Sequence, residues 1–360
     1  MSNGEDKPSV ESRPYIGGQA VLEGVMMRSP KSFAVVVRAA DGELYFRERP
    51  IVSHAAPWQK WPFVRGVTSL VEALRLGNEA LRFSVETLEL GHKKLAADAG
   101  VSSLGLRMHT AMATFVASLG QEPAPSEKSA AGGLTTAVMV IASLGLFVAL
   151  PQGSAALVNR AMGLELSVQS PAFQGLTGLF KLLVVTGYLT AIRQIPDIYR
   201  MFQYHGAEHK SISTYEARLP LTVEAARPFS TRHPRCGTTF LVMVALVSVV
   251  AFTLVGALLP RIATGNLFLD NVIFFFEKLP FVPLLAGVTF EIQRVTAMNV
   301  NAPWVKPFLV PGYLVQGITT IEPDDSQLAV ALASLRLTLD REEGLVTTQD
   351  TRTGVLEASA

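Results

Sequence analysis

From Gly18 to His54 apolar and polar positions alternate over short runs, QAVLEGVMMR, SFAVVVR and ELYFRERPIV, with AADG between the last two. A period of two predicts strands, and Asp41-Gly42 supplies a turn, so a hairpin-containing β module of about three strands is expected over 14–56. Beyond it, Val64, Val67, Val71, Leu74, Leu81, Val85 and Leu88 recur at helical spacing, with Arg65, Arg75, Glu79 and Arg82 between them. That pattern predicts amphipathic helices over 57–120, packed on a soluble core or lying on a membrane surface. The segment QEPAPSEKSAAGG, 121–133, has no period and reads as a linker.

From 134 the pattern changes to long apolar runs. Three of them, 134–150, 175–192 and 239–259, approach the length needed to cross a hydrocarbon core of roughly 30 Å. A fourth, 267–292, is interrupted by Glu277, Lys278, Pro280 and Pro283, and reads as a span with a broken outer part. The membrane domain is therefore expected over 134–310, with a polar loop at 193–238. After Pro323 an acidic start leads into an apolar-periodic run, so a helix is expected in the C-terminal part, 311–340. The ends, 1–13 and 341–360, read as disordered. The fold class is α+β: about four membrane helices, a small β module and cytoplasmic helices.

Composition agrees with this division. Of 360 residues 49% are hydrophobic and only 17% charged, against roughly 25% charged in an ordinary soluble domain. Mean hydropathy is +0.32. A net charge of +1 without a basic stripe argues against nucleic acid as a partner, and leaves membrane lipids as the expected one. One cysteine, Cys236, precludes an intramolecular disulfide. The 193–238 loop carries Arg193, Arg200, Lys210, Arg218, Arg227, Arg232 and Arg235, whereas 151–174 carries only Arg160. The positive-inside rule then puts the loop and both termini in the cytoplasm. Lys181 is expected near the outer end of its span, snorkelling to the interface.

The candidate chemistry lies in that loop. Pro196 and Asp197 open a helix that stops before Pro220, and on it His205, Glu208 and His209 share one face. H-x-x-E-H is the inverzincin spacing, with two histidines as zinc ligands and the glutamate as general base. His233 and Cys236 form an H-x-x-C pair at the entry to the third span, where a helix N-terminus favours thiolate. Glu291, at the inner end of the fourth span, is a further possible ligand or a partner for Arg294. Glu23 follows Gly17-Gly18, a weak candidate anion nest or a strand-entry turn. Imidazole and thiolate donors favour zinc, with other divalent transition metals still compatible.

The stretches GGQAVLEGVMMRSP, FQYHGAEHKSISTYE, HPRCGTTF and TTIEPDDSQLAVA resemble the YqhQ-like family of bacterial membrane proteins. That family is a domain of unknown function whose members are described as predicted metal-dependent enzymes. The resemblance covers most of 14–336 and implies a multi-pass protein of the bacterial inner membrane, with His205, Glu208, His209, His233 and Cys236 at motif positions. It supplies no substrate.

Ligand count separates two functions. If His205, His209, His233 and Cys236 all bind one zinc, the shell is closed and the protein is a scaffold or assembly factor with a structural metal. If two histidines and a carboxylate such as Glu291 bind, a position stays open, Glu208 is the base, and the protein is a hydrolase, with lipid-linked or membrane-peptide substrates in reach. The presence of Glu208 favours the hydrolase. A transporter ranks third, for want of paired broken helices.

Overall fold

The computed structural model describes residues 13–52, 56–99, 138, 141–143, 145–260, 262 and 264–356. The start of the chain, the 121–133 linker and the adjoining part of the expected 57–120 helices lie outside these residues.

The fold is α+β. Strands β1 (Gly17–Val21), β2 (Gly24–Arg28), β3 (Ser32–Arg38) and β4 (Leu44–Pro50) form an antiparallel meander, one strand more than expected. The extra strand arises because Leu22-Glu23 turns the chain inside the run read as one strand; Glu23 takes φ 52, an uncommon conformation for a side-chain-bearing residue. A fifth strand, β5 (Arg352–Leu356), falls in the tail expected to be disordered and pairs with β4, Phe46 opposite Gly354. Its short alternation gains a partner only from a strand about 300 residues earlier in sequence.

Both faces of β3 are buried. Phe33, Val35 and Val37 pack with Val21 and Met26 against Leu76, Ala80 and Phe83 of α1 (Val64–Ala99). Ala34 and Val36 pack on the other face, against Tyr204 and Ala207 of α4 (Pro196–Glu216) and Leu328, Leu332 and Leu335 of α10 (Asp325–Glu342). A strand covered on two sides needs a near-continuous apolar run, and SFAVVVR supplies it. Thus α1 packs on the sheet along its middle. Glu48 of β4, fully buried, holds the α10 face through a two-pronged pair with Arg341, Nε at 2.5 Å and Nη2 at 2.9 Å.

The other layer is helical: α2 (Leu150–Ala161), α3 (Pro171–Ile192), α6 (Gly237–Leu258), α7 (Leu267–Lys278), α8 (Val282–Met298) and α9 (Lys306–Thr319), with a single turn, α5 (Val223–Ala226), in the polar loop. Among the described residues four stretches are long and apolar enough to cross a membrane: Ile141–Ala161, Pro171–Ile192, Gly237–Gly256 and Phe268–Met298. The first runs well past the expected end at 150, so Arg160 belongs to a helix and not to a loop. Lys181 lies in the middle of α3, not near its end. The one helix expected over 311–340 is two, α9 and α10, separated at 320–324, and α9 begins before 311. At 14 residues with Pro311 inside it is short of a span, and it packs along α6, where Gly312 meets Thr239.

Candidate metal centre

Helix α4 opens with Pro196 at its first turn and Asp197 beside it, favourable at a helix N-terminus. It is wedged against β1, β2 and α10, so most side chains from Tyr204 to Tyr215 are buried. Gly206 permits this packing: a Cβ there would collide with the carbonyl oxygen of Ile321, whose N–H donates to Phe202 O at 3.0 Å. The contact brings the end of α9 beside the histidine stripe.

His205 Nδ1 lies 2.9 Å from Thr319 O, and His209 Nδ1 2.5 Å from Thr231 O. A backbone carbonyl only accepts, so each Nδ1 carries the proton and each Nε2 presents a lone pair. Cys236, the N-cap of α6, places Sγ 3.2 Å from His205 Nε2 and accepts from the Thr238 N–H at 3.4 Å. The donor atoms of His205, His209 and Cys236 all lie within 4.8 Å of one another.

A tetrahedral zinc, with Zn–N near 2.0 Å and Zn–S near 2.3 Å, spaces its ligands ~3.5 Å apart. Two fixed imidazole nitrogens and a thiol at this separation fit such an ion after small side-chain shifts. Electrostatics fit as well. Burial opposes a thiolate at Cys236, but the adjacent His209 imidazole and the bonds to Thr238 outweigh it and hold the thiol below its ordinary value. Burial, with His205 beside it, keeps His209 below the usual imidazole range and so neutral, as a ligand must be. Glu208 is 5% exposed, and burial pushes its carboxyl up to about 8.

The remaining candidates are placed elsewhere. His233 approaches, its ring centroid 5.7 Å from that of His209, but both nitrogens are engaged: Nδ1 accepts from the Arg235 N–H at 3.4 Å and Nε2 faces Glu216 Oε2 at 3.4 Å. Burial holds this imidazole down to about 4. Glu291, expected as a ligand or as Arg294's partner, instead grips α1: Arg65 Nε donates to it at 2.6 Å and the Phe63 N–H at 3.3 Å. Glu23 receives Arg200 Nε at 2.5 Å and Nη2 at 2.6 Å, with the Tyr204 hydroxyl at 3.3 Å, so it ties the β1–β2 turn to α4. Gly18 is no anion nest; the Glu208 side chain lies on its α-carbon, where a Cβ would be 2.7 Å from Glu208 Cγ.

The family described as "Protein of unknown function (DUF1385)" matches residues 61–341. The chain belongs to the DUF1385 family. It is also 31% identical over 333 residues to the uncharacterized protein YqhQ of Bacillus subtilis (strain 168), covering 89% of this chain and 91% of that one. No solved structure matches it.

In this DUF1385 member the tertiary structure adds two glutamines that no motif signalled. Gln316 of α9, fully buried, accepts from the His233 N–H at 2.8 Å and donates Nε2 to His233 O at 2.8 Å and Thr239 Oγ1 at 2.7 Å. It fixes the loop that delivers Thr231 and Cys236. From α8, Gln293 donates to Cys236 O at 3.1 Å. A buried glutamine in an apolar helix was the available signal, since such a group has to find partners.

Proposed function

We propose that this protein is a membrane-embedded, metal-dependent hydrolase whose centre lies at the cytoplasmic face of the bacterial inner membrane. One observation carries the proposal: His205, His209 and Cys236 converge as three donors, His233 turns away, and buried Glu208 stands beside them. Three protein ligands leave a tetrahedral position open, which is the pattern of catalytic zinc.

Zinc bound there would supply Lewis acidity and make water acidic enough to lose a proton near neutral pH. The chain does the rest. Thr319 and Thr231 carbonyls orient the two imidazoles, Cys236 contributes negative charge, and Glu208, whose carboxyl the charge of a bound cation would draw back down from about 8, is placed to accept the proton of water and return it to a leaving group. Pairing of β4 with β5 puts the segments before and after the apolar helices on one side, which supports an even number of crossings between them. A centre at that face favours a lipid-linked or membrane-peptide substrate.

Metal analysis of the full-length chain with parallel complementation in cells tests this. Wild type should carry about one zinc per chain. His205→Ala and Cys236→Ser should lose it, His233→Gln should keep it, and Glu208→Gln should keep it but fail to complement. Full function of Glu208→Gln would sink the hydrolase. The burial of His209, 1% exposed, favours the second reading, a structural zinc in a scaffold, and metal loss in a folded His233→Gln variant would establish it.

A further inference from the structure

Two lysines lie within the apolar helix layer, far from either end of α3 and at the junction of α7 with α8. Glycines set their positions. Gly178 of α3 brings that helix against Val249 of α6, and Gly256 of α6 brings α6 against Phe274 of α7, where a Cβ would lie 3.3 Å from Phe274 Cζ. About one turn from both contacts, Phe252 of α6 receives a lysine from each neighbour. Lys181 Nζ lies 5.9 Å from its ring centroid and Lys278 Nζ 5.3 Å; Lys278 also sits 4.5 Å from the Phe274 centroid.

Lys278 is only 6% exposed. Among the described residues neither ammonium has a carboxylate within ion-pair distance, and the adjacent Glu277 leaves Oε2 buried without a hydrogen bond. An aromatic face returns only part of the hydration an ammonium loses on burial, and two cations on one ring repel each other. Cations inside a span ordinarily face a partner or a ligand. The ligand that satisfies both is an anion. Exposed Leu254, Leu258 and Phe276 make the surrounding surface apolar, so an anion carried on acyl chains reaches it more readily than one dissolved in water.

We propose that Lys181 and Lys278, both set against Phe252, bind the phosphate group of an anionic lipid at a site separate from the metal centre. This rests on the four apolar helices crossing a membrane, and is independent of whether the centre binds zinc.

Native mass spectrometry of the full chain, released from nanodiscs of equal phosphatidylglycerol and phosphatidylcholine, tests it. Wild type should retain phosphatidylglycerol over phosphatidylcholine by a factor on the order of tenfold. Lys181→Gln/Lys278→Gln should abolish the preference, and Lys181→Arg/Lys278→Arg should keep it. If inorganic phosphate displaces the lipid in wild type and not in the glutamine variant, the phosphate site stands and its source includes free phosphate. A glutamine variant of unchanged thermal stability that keeps the wild-type preference overturns the proposal, as does a wild type without one. Carbonate extraction of the chain from membranes would locate the failure in the membrane reading, and zinc content separates it from the metal reading.

Discussion

The side chain of Glu208 rests on the α-carbon of Gly18: a methyl group added there would approach its Cγ to 2.7 Å and its carboxyl atoms to 2.8 Å. The first strand of the sheet thus holds the general-base candidate in place, and the glycine is required for the space it leaves.

Gly18→Ala should therefore displace the Glu208 carboxyl, the flexible end of a side chain, before it moves any backbone. The expected cost is about 1 kcal/mol of stability, with loss of complementation and retained zinc. Full complementation together with an unshifted Glu208 in a structure of the variant would contradict it.

Gln316→Leu removes a side chain that satisfies the His233 N–H, the His233 carbonyl and the Thr239 hydroxyl. Leaving these buried groups unpaired should cost roughly 1–3 kcal/mol. Zinc affinity should fall too, because the same loop carries Thr231 and Cys236. Thermal unfolding in detergent and a zinc titration measure both, and a variant that matches wild type in each would show the clamp to be dispensable.

Acid should destabilise the metal-free fold. Burial holds His233 down to about 4, whereas an imidazole in the unfolded chain titrates near 6.5. Between those values the unfolded chain binds a proton that the folded chain refuses. Stability is therefore complete above roughly pH 6.5 and is lost as pH falls toward 4. The pull of Glu216 at 3.4 Å acts the other way, through a side chain 40% exposed and well screened. A plot of Tm against pH should fall through this window and should be flatter in His233→Gln; identical slopes would remove His233 from the account.

Trp58 and Trp61 are 52% and 63% exposed, beside Phe63, whose carbonyl is pressed against Gly287 of α8. Exposed tryptophans beside an apolar helix are the composition of an interfacial belt. In a Trp304→Phe background, lipids brominated near the headgroup should quench their emission strongly. Emission unaffected by those lipids would place the head of α1 in water.

Much of the helix layer was legible because the information is local. Length and hydropathy mark a span without reference to any partner, although the first one runs on to Ala161: a π-helical segment, Gly145–Ala149, leads into α2, where Pro151 sits in the first turn and is tolerated. The start of α9 before Pro311 and its separation from α10 escaped notice because the helix is short and contains that proline. β5 escaped because RTGVL acquires meaning only beside β4. At the candidate site, the common face of His205, Glu208 and His209 follows from 100° per residue along one helix.

By itself the sequence determined the apolar helices, the charge asymmetry about them and the H-x-x-E-H stripe, all of which are encoded within a few turns of chain. Only the tertiary structure decided that Cys236 joins the two histidines while His233 and Glu291 do not. Those choices depend on side chains from separate elements: Arg65 claims Glu291, Glu216 and Arg235 engage His233, and Gln316 sets the loop that carries the thiol. Residues with the same chemistry compete for each position, and packing between helices distant in sequence selects among them.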